Sequence, residues 1–196
     1  MHTEYQATGH DLAALLAARR NHTLRRLLAP GPGDADLARI VEAGAHAPDH
    51  GLLRPWRFIL VPSHRRADLG EVFAQALLAR DPACGPDALA TARDKAQRAP
   101  CLLVAVLKDA PCAAGIARDE KLVSLGCAIQ NMLAAAQAMG YHSGLASGAA
   151  MDFAGMRRLL QLQEHERAIC FIGFGTASAP KPPRPRPDAG DFLSSL

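Results

Sequence analysis

Apolar residues recur along the chain in two patterns, one with the period of a helix and one in short continuous runs. The helical period predicts helices at 11–20, about 34–47, a stretch after Ser63, 86–98, 119–139 and 152–162. Runs of branched and aromatic residues predict buried strands at 56–61, 101–107 and 168–174. The stretch 142–148 is small and rich in Gly and Ser, and neither pattern extends across it.

The succession of these elements predicts the fold class. The connections vary too much in length for a regular doubly wound sheet, so an α+β core, a sheet wrapped by helices, is expected. A length of 196 residues favours one domain over residues 1–196. From about residue 176 the chain enters a tail with five prolines between Pro180 and Pro187, and this tail is expected to be extended.

Composition narrows the classes of protein that fit. Hydrophobic residues make up 49% of the chain and charged residues 21%, which excludes a disordered protein. The five cysteines are scattered without a C-x-x-C pair, which excludes a zinc ribbon and a disulfide framework. Residues 1–11 are polar where a signal peptide is apolar, and polar residues interrupt the most apolar long segment, 122–139. A cytoplasmic protein is therefore expected.

Basic residues form the strongest candidates for binding chemistry, in two clusters near the ends of the chain. The clusters comprise Arg19, Arg20, Arg25 and Arg26 with Asn21, and Lys181, Arg184 and Arg186. Each cluster alone fits a solvated surface, and Arg19 and Arg20 also fit the dipole at a helix end. Two clusters together with a Gly/Ser-rich stretch favour an anion site, because guanidinium groups match a phosphate monoester.

Other chemical motifs are weaker. His46 and His50 have the spacing of metal ligands on a helix, but Pro48 between them breaks that geometry, and no metal site is predicted. No Walker loop is present and no G-x-G-x-x-G follows a strand, so a Rossmann cofactor site is unsupported.

Taken in order, several segments resemble the nitroreductase family, specifically its small single-domain branch. They are LLAARRN at 15–21, EAGAHAPDHGLLRPWRFILV at 42–61, the helix 122–140 with SGLASG at 143–148, and FIGFGTASAPKPPRPRPD at 171–188. The resemblance implies a central, mainly antiparallel sheet wrapped by helices. It also implies a homodimer with FMN at the subunit interface. Hydride from NADH or NADPH would pass by a ping-pong mechanism to a nitroaromatic, quinone or related acceptor.

The resemblance also implies roles for individual residues. Arg19 is expected to hold the FMN phosphate, Arg20 to lie near the isoalloxazine edge, and Asn21 to bond the phosphate or ribityl chain. The other expected flavin contacts are His46 and His50 from the partner subunit, Leu145, Ala146 and Ser147 at the ring, and a tail cation at Arg184 or Arg186. The nicotinamide nucleotide is expected at Ala135, Ala136, Gln137, Ala138, Met139 and Gly140.

The chain departs from the family pattern at three places. Asn21 replaces a serine, Leu52 and Arg54 stand where larger members have Asn and Gln, and 145–147 replace Trp-Arg-Ser. The last change predicts a roomier substrate pocket. Two alternatives stay open: a flavin-binding or flavin-modifying protein without turnover, and a basic nucleic-acid binder with 18 arginines against four lysines. The net charge of +3 and the scatter of the arginines weigh against the second.

Overall fold

The computed structural model describes residues 9–111, 115–179, 181–182 and 185–196, with side chains from residue 12 onward. Within these residues, six α-helices and five strands follow one another. The helices are α1 Gly9–Ala18, α2 Asp34–Gly44, α3 Arg66–Arg80, α4 Pro86–Asp94, α5 Arg118–Ala138 and α6 Ala154–Leu159. The strands are β1 Leu27–Leu28, β2 Trp56–Leu60, β3 Cys101–Lys108, β4 His142–Ala146 and β5 Glu166–Ala177.

The five strands form one sheet and pair with one another in antiparallel fashion, and an isolated parallel bridge joins Asn21 to Ser143. Its order is β1–β5–β3–β2, and β4 also pairs with β5. The long strand β5 therefore organises the sheet: 166–174 pair with β3, 171–175 with β4 and 176–177 with β1. The predicted fold class, an antiparallel sheet wrapped by helices, is confirmed.

Strand β3 lies inside the sheet, between β5 and β2, and this position explains why its sequence is continuously apolar. Leu102, Val104 and Val106 face one hydrophobic cluster, which α3 and α6 complete. Leu103 and Ala105 face a second cluster, which α2 and α5 complete. Because helices cover both faces of the sheet, no position of this strand before Lys108 meets water, and the alternation of a half-exposed strand is lost.

Several predicted helices are shorter in the structure. The helix predicted at 34–47 ends at Gly44, and the helix predicted at 86–98 ends at Asp94 before a 3₁₀ turn, Lys95–Gln97. The first helix ends at Ala18 rather than residue 20, so Arg19 and Arg20 lie in the loop that follows. Strand β5 extends to Ala177, and beyond it the described part of the tail carries only a short turn, at Ala189–Asp191.

The stretch 142–148 is a correction to the sequence reading, because its first five residues form the strand β4. Strand formation here depends on pairing with β5, in the register Gly144 opposite Gly173. Glycine has a low intrinsic preference for strands, so the local sequence carries no strand signal. The pairing partner, not the local residues, makes this segment extended.

Among the described helices, none has both the length and the hydropathy that crossing a bilayer requires.

Cys101 and Cys170 are buried, and burial raises the pKa of each thiol to about 11. Both therefore stay protonated near neutral pH and serve as small core residues.

Glu166, at the start of β5, is expected to make stability depend on pH. Its carboxylate accepts two 2.7 Å hydrogen bonds from Arg57 and one from the main-chain N of Gln163. The Arg57 bonds hold the pKa of Glu166 below its ordinary value. The pKa of Glu166 is lower in the folded protein than in the unfolded chain, where it is about 4.3. The ionised carboxylate therefore stabilises the fold above that pH. This stabilisation is lost as the pH falls through the pKa of the folded state.

Glu166→Gln is accordingly expected to lower the free energy of unfolding at pH 7 by about 1–3 kcal/mol, because it leaves Arg57 without its carboxylate. In urea unfolding, the gap between variant and wild type should shrink below about pH 4. Glu71→Gln is the matched control, since the Glu71–Arg93 pair is exposed and is expected to matter little. An equal gap at pH 7 and at acid pH would contradict the assignment.

Candidate functional site

The loop after α1 is joined to β4 and to the tail by hydrogen bonds that meet at Asn21. The main-chain N of His22 donates to Ser143 O at 2.9 Å, and Leu145 N donates to Asn21 Oδ1 at 3.0 Å. From the tail, Lys181 Nζ donates to the main-chain oxygen of Asn21. Asn21 therefore joins three segments that are far apart in sequence.

Gly144 permits this close approach. A Cβ atom on Gly144 would overlap the carbonyl oxygen of His22 and would also press on the Asn21 side chain. Only glycine at this position lets the loop after α1 lie directly on β4. The glycine that weakens the local strand signal is thus required by the tertiary structure.

Four positive charges, here named the cation cluster, gather at this junction: Arg19, Arg20, Lys181 and Arg186. Burial lowers the pKa of Arg19 below its ordinary value, and the nearby charges of Arg186 and Arg20 lower it further. Arg20 donates to the carbonyl oxygens of Ala17 and Arg19, yet its Nε is buried with no partner in the described structure. Cations that lower one another's pKa, together with an unused buried donor, have the chemistry of an anion-binding site.

The tail residues predicted for this role differ in what the structure describes. Arg186 lies close enough to Arg19 to lower the pKa of that guanidinium. Arg184 falls outside the described residues. Lys181, which belongs to the same predicted tail cluster, contacts Asn21 directly.

His22 lies under the cation cluster and is 3% exposed. Its ring meets the ring of His142 edge-on, with centroids 4.8 Å apart. Burial lowers the pKa of His22, and the neighbouring His142, Lys181 and Arg26 lower it further. A neutral ring at pH 7 follows, so the charge of this site comes from the arginines and lysine.

A pocket of about 600 Å³ begins at Thr23, two residues beyond Asn21, and extends between the sheet and the helices α3 and α4. Its floor is apolar, with Leu24, Leu102 and an edge-to-face pair of rings, Phe73 and Phe171, whose centroids are 5.6 Å apart. Its cationic residues are Arg25, Arg80, Lys95 and Arg98. No Asp or Glu is among the described residues that line it.

Leu145, Ala146 and Ser147 all line this pocket. Leu145 is 39% exposed, and Ser147 Oγ donates to the main-chain oxygen of Ile169 at 3.1 Å. The hydrogen bond from Leu145 to Asn21 connects the pocket wall to the cation cluster. Two groups of residues predicted to contact the flavin therefore lie next to each other: 19–21 and 145–147.

His46 and His50 lie elsewhere, between α2 and β2, and both are exposed. His50 Nδ1 is 2.8 Å from a carboxylate oxygen of Glu120, at the start of α5. Neither histidine lines the pocket. Over the described residues, no cluster of three or more His, Cys, Asp or Glu side chains could hold a metal ion.

The end of α5, predicted to serve the nicotinamide nucleotide, is partly covered. Ala136 is 0% exposed and packs in the second hydrophobic cluster, so the expectation that this residue contacts a nucleotide is corrected. Met139 also packs against that cluster, and Gln137 is half-buried. Gly140 ends the helix with φ +85°, a conformation that favours glycine. Ala135 is half-buried, and Ala138 and Gly140 are exposed.

Part of the pocket wall is not predicted by the sequence. Lys95 and Arg98 come from the connection between α4 and β3, at the end of the helix predicted over 86–98. Ala149, Ala150 and Met151 come from a 3₁₀ turn after β4. No local motif marks these residues, because only the packing of α3 and α4 against the sheet places them beside 145–147.

Comparisons with known proteins show the family of this chain. Residues 17–176 match the model of the nitroreductase family, described as "Nitroreductase family". A protein of Haemophilus influenzae named "Putative NAD(P)H nitroreductase" is 32% identical over 166 residues, which cover 85% of this chain and 88% of the relative.

Two solved structures show the same fold. A nitroreductase-like family protein from Bacillus cereus superposes with a TM-score of 0.80 at 17% identity, covering 94% of this chain and 95% of that one. A nitroreductase with bound FMN from Desulfitobacterium hafniense has a TM-score of 0.66 at 23% identity, covering 95% and 98%.

Proposed function

This chain belongs to the nitroreductase family, and from that premise we propose that it is an FMN-dependent oxidoreductase. It would transfer hydride from NADH or NADPH to nitroaromatic, quinone or related acceptors. The observation that carries the proposal is the junction at Asn21, where an apolar pocket and a cluster of four cations meet. With a nitroarene, the balanced reaction is NAD(P)H plus a proton plus nitroarene giving NAD(P)⁺, nitrosoarene and water.

The cation cluster suits the phosphate of FMN. The charge of Arg186 helps to lower the pKa of Arg19, and the buried Nε of Arg20 has no hydrogen-bond partner in the described structure. A phosphate dianion there relieves the repulsion and accepts charge-assisted hydrogen bonds. Asn21 would bond the phosphate or the ribityl chain, although its side-chain oxygen is already used by Leu145 N.

The pocket suits a planar ring system. Its apolar floor and its volume fall in the range of small-molecule sites. When bound, FMN supplies the redox chemistry by accepting and returning a hydride equivalent. Residues of this chain would bind and orient it: Leu145, Ala146 and Ser147 would contact one side of the ring, and the cations at the pocket would favour negative charge near it.

The proposed enzyme is a homodimer. His46, His50 and the 77%-exposed Leu52 lie together on the connection before β2, where they serve no described site of their own chain. Leu12 and Leu16 of α1 and Val123 of α5 are also exposed and apolar. A second copy would cover this surface and bring its two histidines to the flavin.

The nicotinamide nucleotide would bind at the exposed end of α5. Ala138 and Gly140 are exposed there, whereas Ala136 is buried. No cation lies within residues 135–140, so the phosphates of the nucleotide would need cations from elsewhere.

The test is the visible spectrum of the purified protein. We expect a yellow protein with one FMN per chain, bleached by NADH or NADPH and reoxidised by a quinone. A colourless protein that takes up no added FMN would end the proposal. A yellow protein that NAD(P)H does not bleach would favour a flavin-binding or flavin-modifying protein without turnover, the alternative that the unusual Leu145 and Ala146 motivate.

A further inference from the structure

We propose that the pocket prefers an electron acceptor that is an aromatic anion, such as an arenecarboxylate, over the same aromatic compound in neutral form. The inference rests on the proposed function, because it names the substrate class of the same site. It starts from the charges around the pocket, which the binding of one flavin does not account for.

The four cations of the pocket have no neutralising partner among the residues that the structure describes. None of Arg25, Arg80, Lys95 and Arg98 takes part in an ion pair in the described part of the chain. These four positive charges therefore surround a pocket whose described lining contains no Asp or Glu.

Some arginines outside the pocket are neutralised by a neighbouring carboxylate. Arg65 pairs with Asp68, Arg93 with Glu71, and Arg167 with Asp152. The pocket differs from these places because no carboxylate is among its described lining residues.

One wall of the pocket is held in place by a buried arginine. Arg66 is 5% exposed and donates to the carbonyl oxygens of Val61, Ala96, Arg98 and Ala99. Ala99 also has a strained φ of +63°. Fixing the main chain at 96–99 holds the adjacent Lys95 and Arg98 at the pocket, which reduces the freedom that a bound anion would have to restrict.

The flavin accounts for only part of this charge. Its phosphate belongs to the separate cation cluster, and the ring carries one negative charge when reduced. Four cations around the pocket exceed that charge, so a second anionic group would be stabilised there. The apolar floor with Phe73 and Phe171 favours an aromatic body, and the cations favour an acidic substituent on it.

The experiment compares two acceptors of the same shape, 4-nitrobenzoate and its neutral isostere 4-nitrobenzamide. Dissociation constants are measured with the oxidised holoenzyme from the change in flavin absorbance, and kcat/KM is measured with saturating NADH. We expect the carboxylate to bind roughly tenfold more tightly, a difference equivalent to about 1.4 kcal/mol. This preference should weaken with added salt.

The double variant Arg80→Gln with Lys95→Gln tests the source of the preference. It is expected to bring the ratio of the two dissociation constants close to one while the value for the amide stays within about twofold, because only the charge is removed. Arg158→Gln is the control, since Arg158 is exposed on α6 and does not line the pocket. FMN content and thermal unfolding are recorded for all three proteins.

Four results would overturn the inference: no preference in the wild type, an unchanged preference in the double variant, the same loss in Arg158→Gln, or loss of FMN from the double variant. A fifth concerns the 2′-phosphate of NADPH. If the double variant loses a preference for NADPH over NADH but keeps its preference for nitrobenzoate, the cations serve the nucleotide.

Failure of the proposed function is a separate result. Isothermal titration of the purified protein with the two compounds reports the same discrimination whether or not flavin is bound. A colourless protein that still distinguishes carboxylate from amide would end the flavin proposal and keep the anion site. A yellow protein that does not distinguish them would do the reverse.

Discussion

Replacing Arg19 by alanine is expected to lower the affinity for FMN by about 10- to 150-fold, because a hydrogen bond to a charged group is worth about 1.5–3 kcal/mol. Arg19 is half-buried beside Arg186 and Arg20, so its charge is poorly screened by water. The dissociation constant is measured by quenching of FMN fluorescence when the flavin is added to the apoprotein.

Two matched variants make this result specific. Arg158→Ala removes an exposed arginine far from the pocket lining and is expected to bind FMN as the wild type does. Arg186→Ala is expected to weaken binding less than Arg19→Ala, since Arg186 is more exposed. Equal affinity in Arg19→Ala and wild type would remove Arg19 from the phosphate site.

Replacing Gly144 by alanine is expected to destabilise the protein strongly. The added methyl group would overlap the carbonyl oxygen and carbon of His22, which are main-chain atoms and cannot rotate away as a flexible side chain could. Overpacking against main chain is expected to cost about 3 kcal/mol or more. Urea unfolding measures the loss, and FMN affinity should fall with it because the loop after α1 would separate from β4.

Gly85→Ala is the control for this substitution. Gly85 precedes α4, has φ −77°, and has nothing within 4 Å of the position of an added Cβ. Its effect should stay within about 0.5 kcal/mol. Should Gly144→Ala not fold, Asn21→Ala removes the hydrogen bond to Leu145 without a clash and is expected to weaken FMN binding with a smaller loss of stability. Gly144→Ala as stable as Gly85→Ala would contradict the role of the close approach.

Much of the fold follows from the sequence because burial leaves a direct record in the residues. Strand β3 is apolar at every position up to Lys108, since both of its faces are covered, and the run 101–107 predicts it almost to the residue. The long helix predicted at 119–139 is Arg118–Ala138 in the structure. Gly140 then ends the helix with a positive φ, as its position in the sequence indicates.

The candidate site was only partly predictable. The two basic clusters are visible as composition, and the resemblance assigns Arg19 and the tail to one phosphate. That they lie together follows from the fold, because Lys181 reaches Asn21 and Arg186 lies near Arg19 from the other end of the chain. Arg184 has no described position, so its share in the site stays a prediction.

By itself, the sequence determined the buried strands, the principal helices and the family, since each is recorded in local periodicity or in an ordered set of motifs. Tertiary structure alone decided that His142–Ala146 is a strand, because pairing with β5 overrides the weak preference of its glycine. It also decided that Lys95 and Arg98 share a pocket with Leu145, because that depends on how α3 and α4 pack on the sheet. Contacts between distant segments produce no local periodicity in the sequence. Basic residues in a loop also have the same sequence pattern whether the fold places them at a binding site or on an ordinary surface.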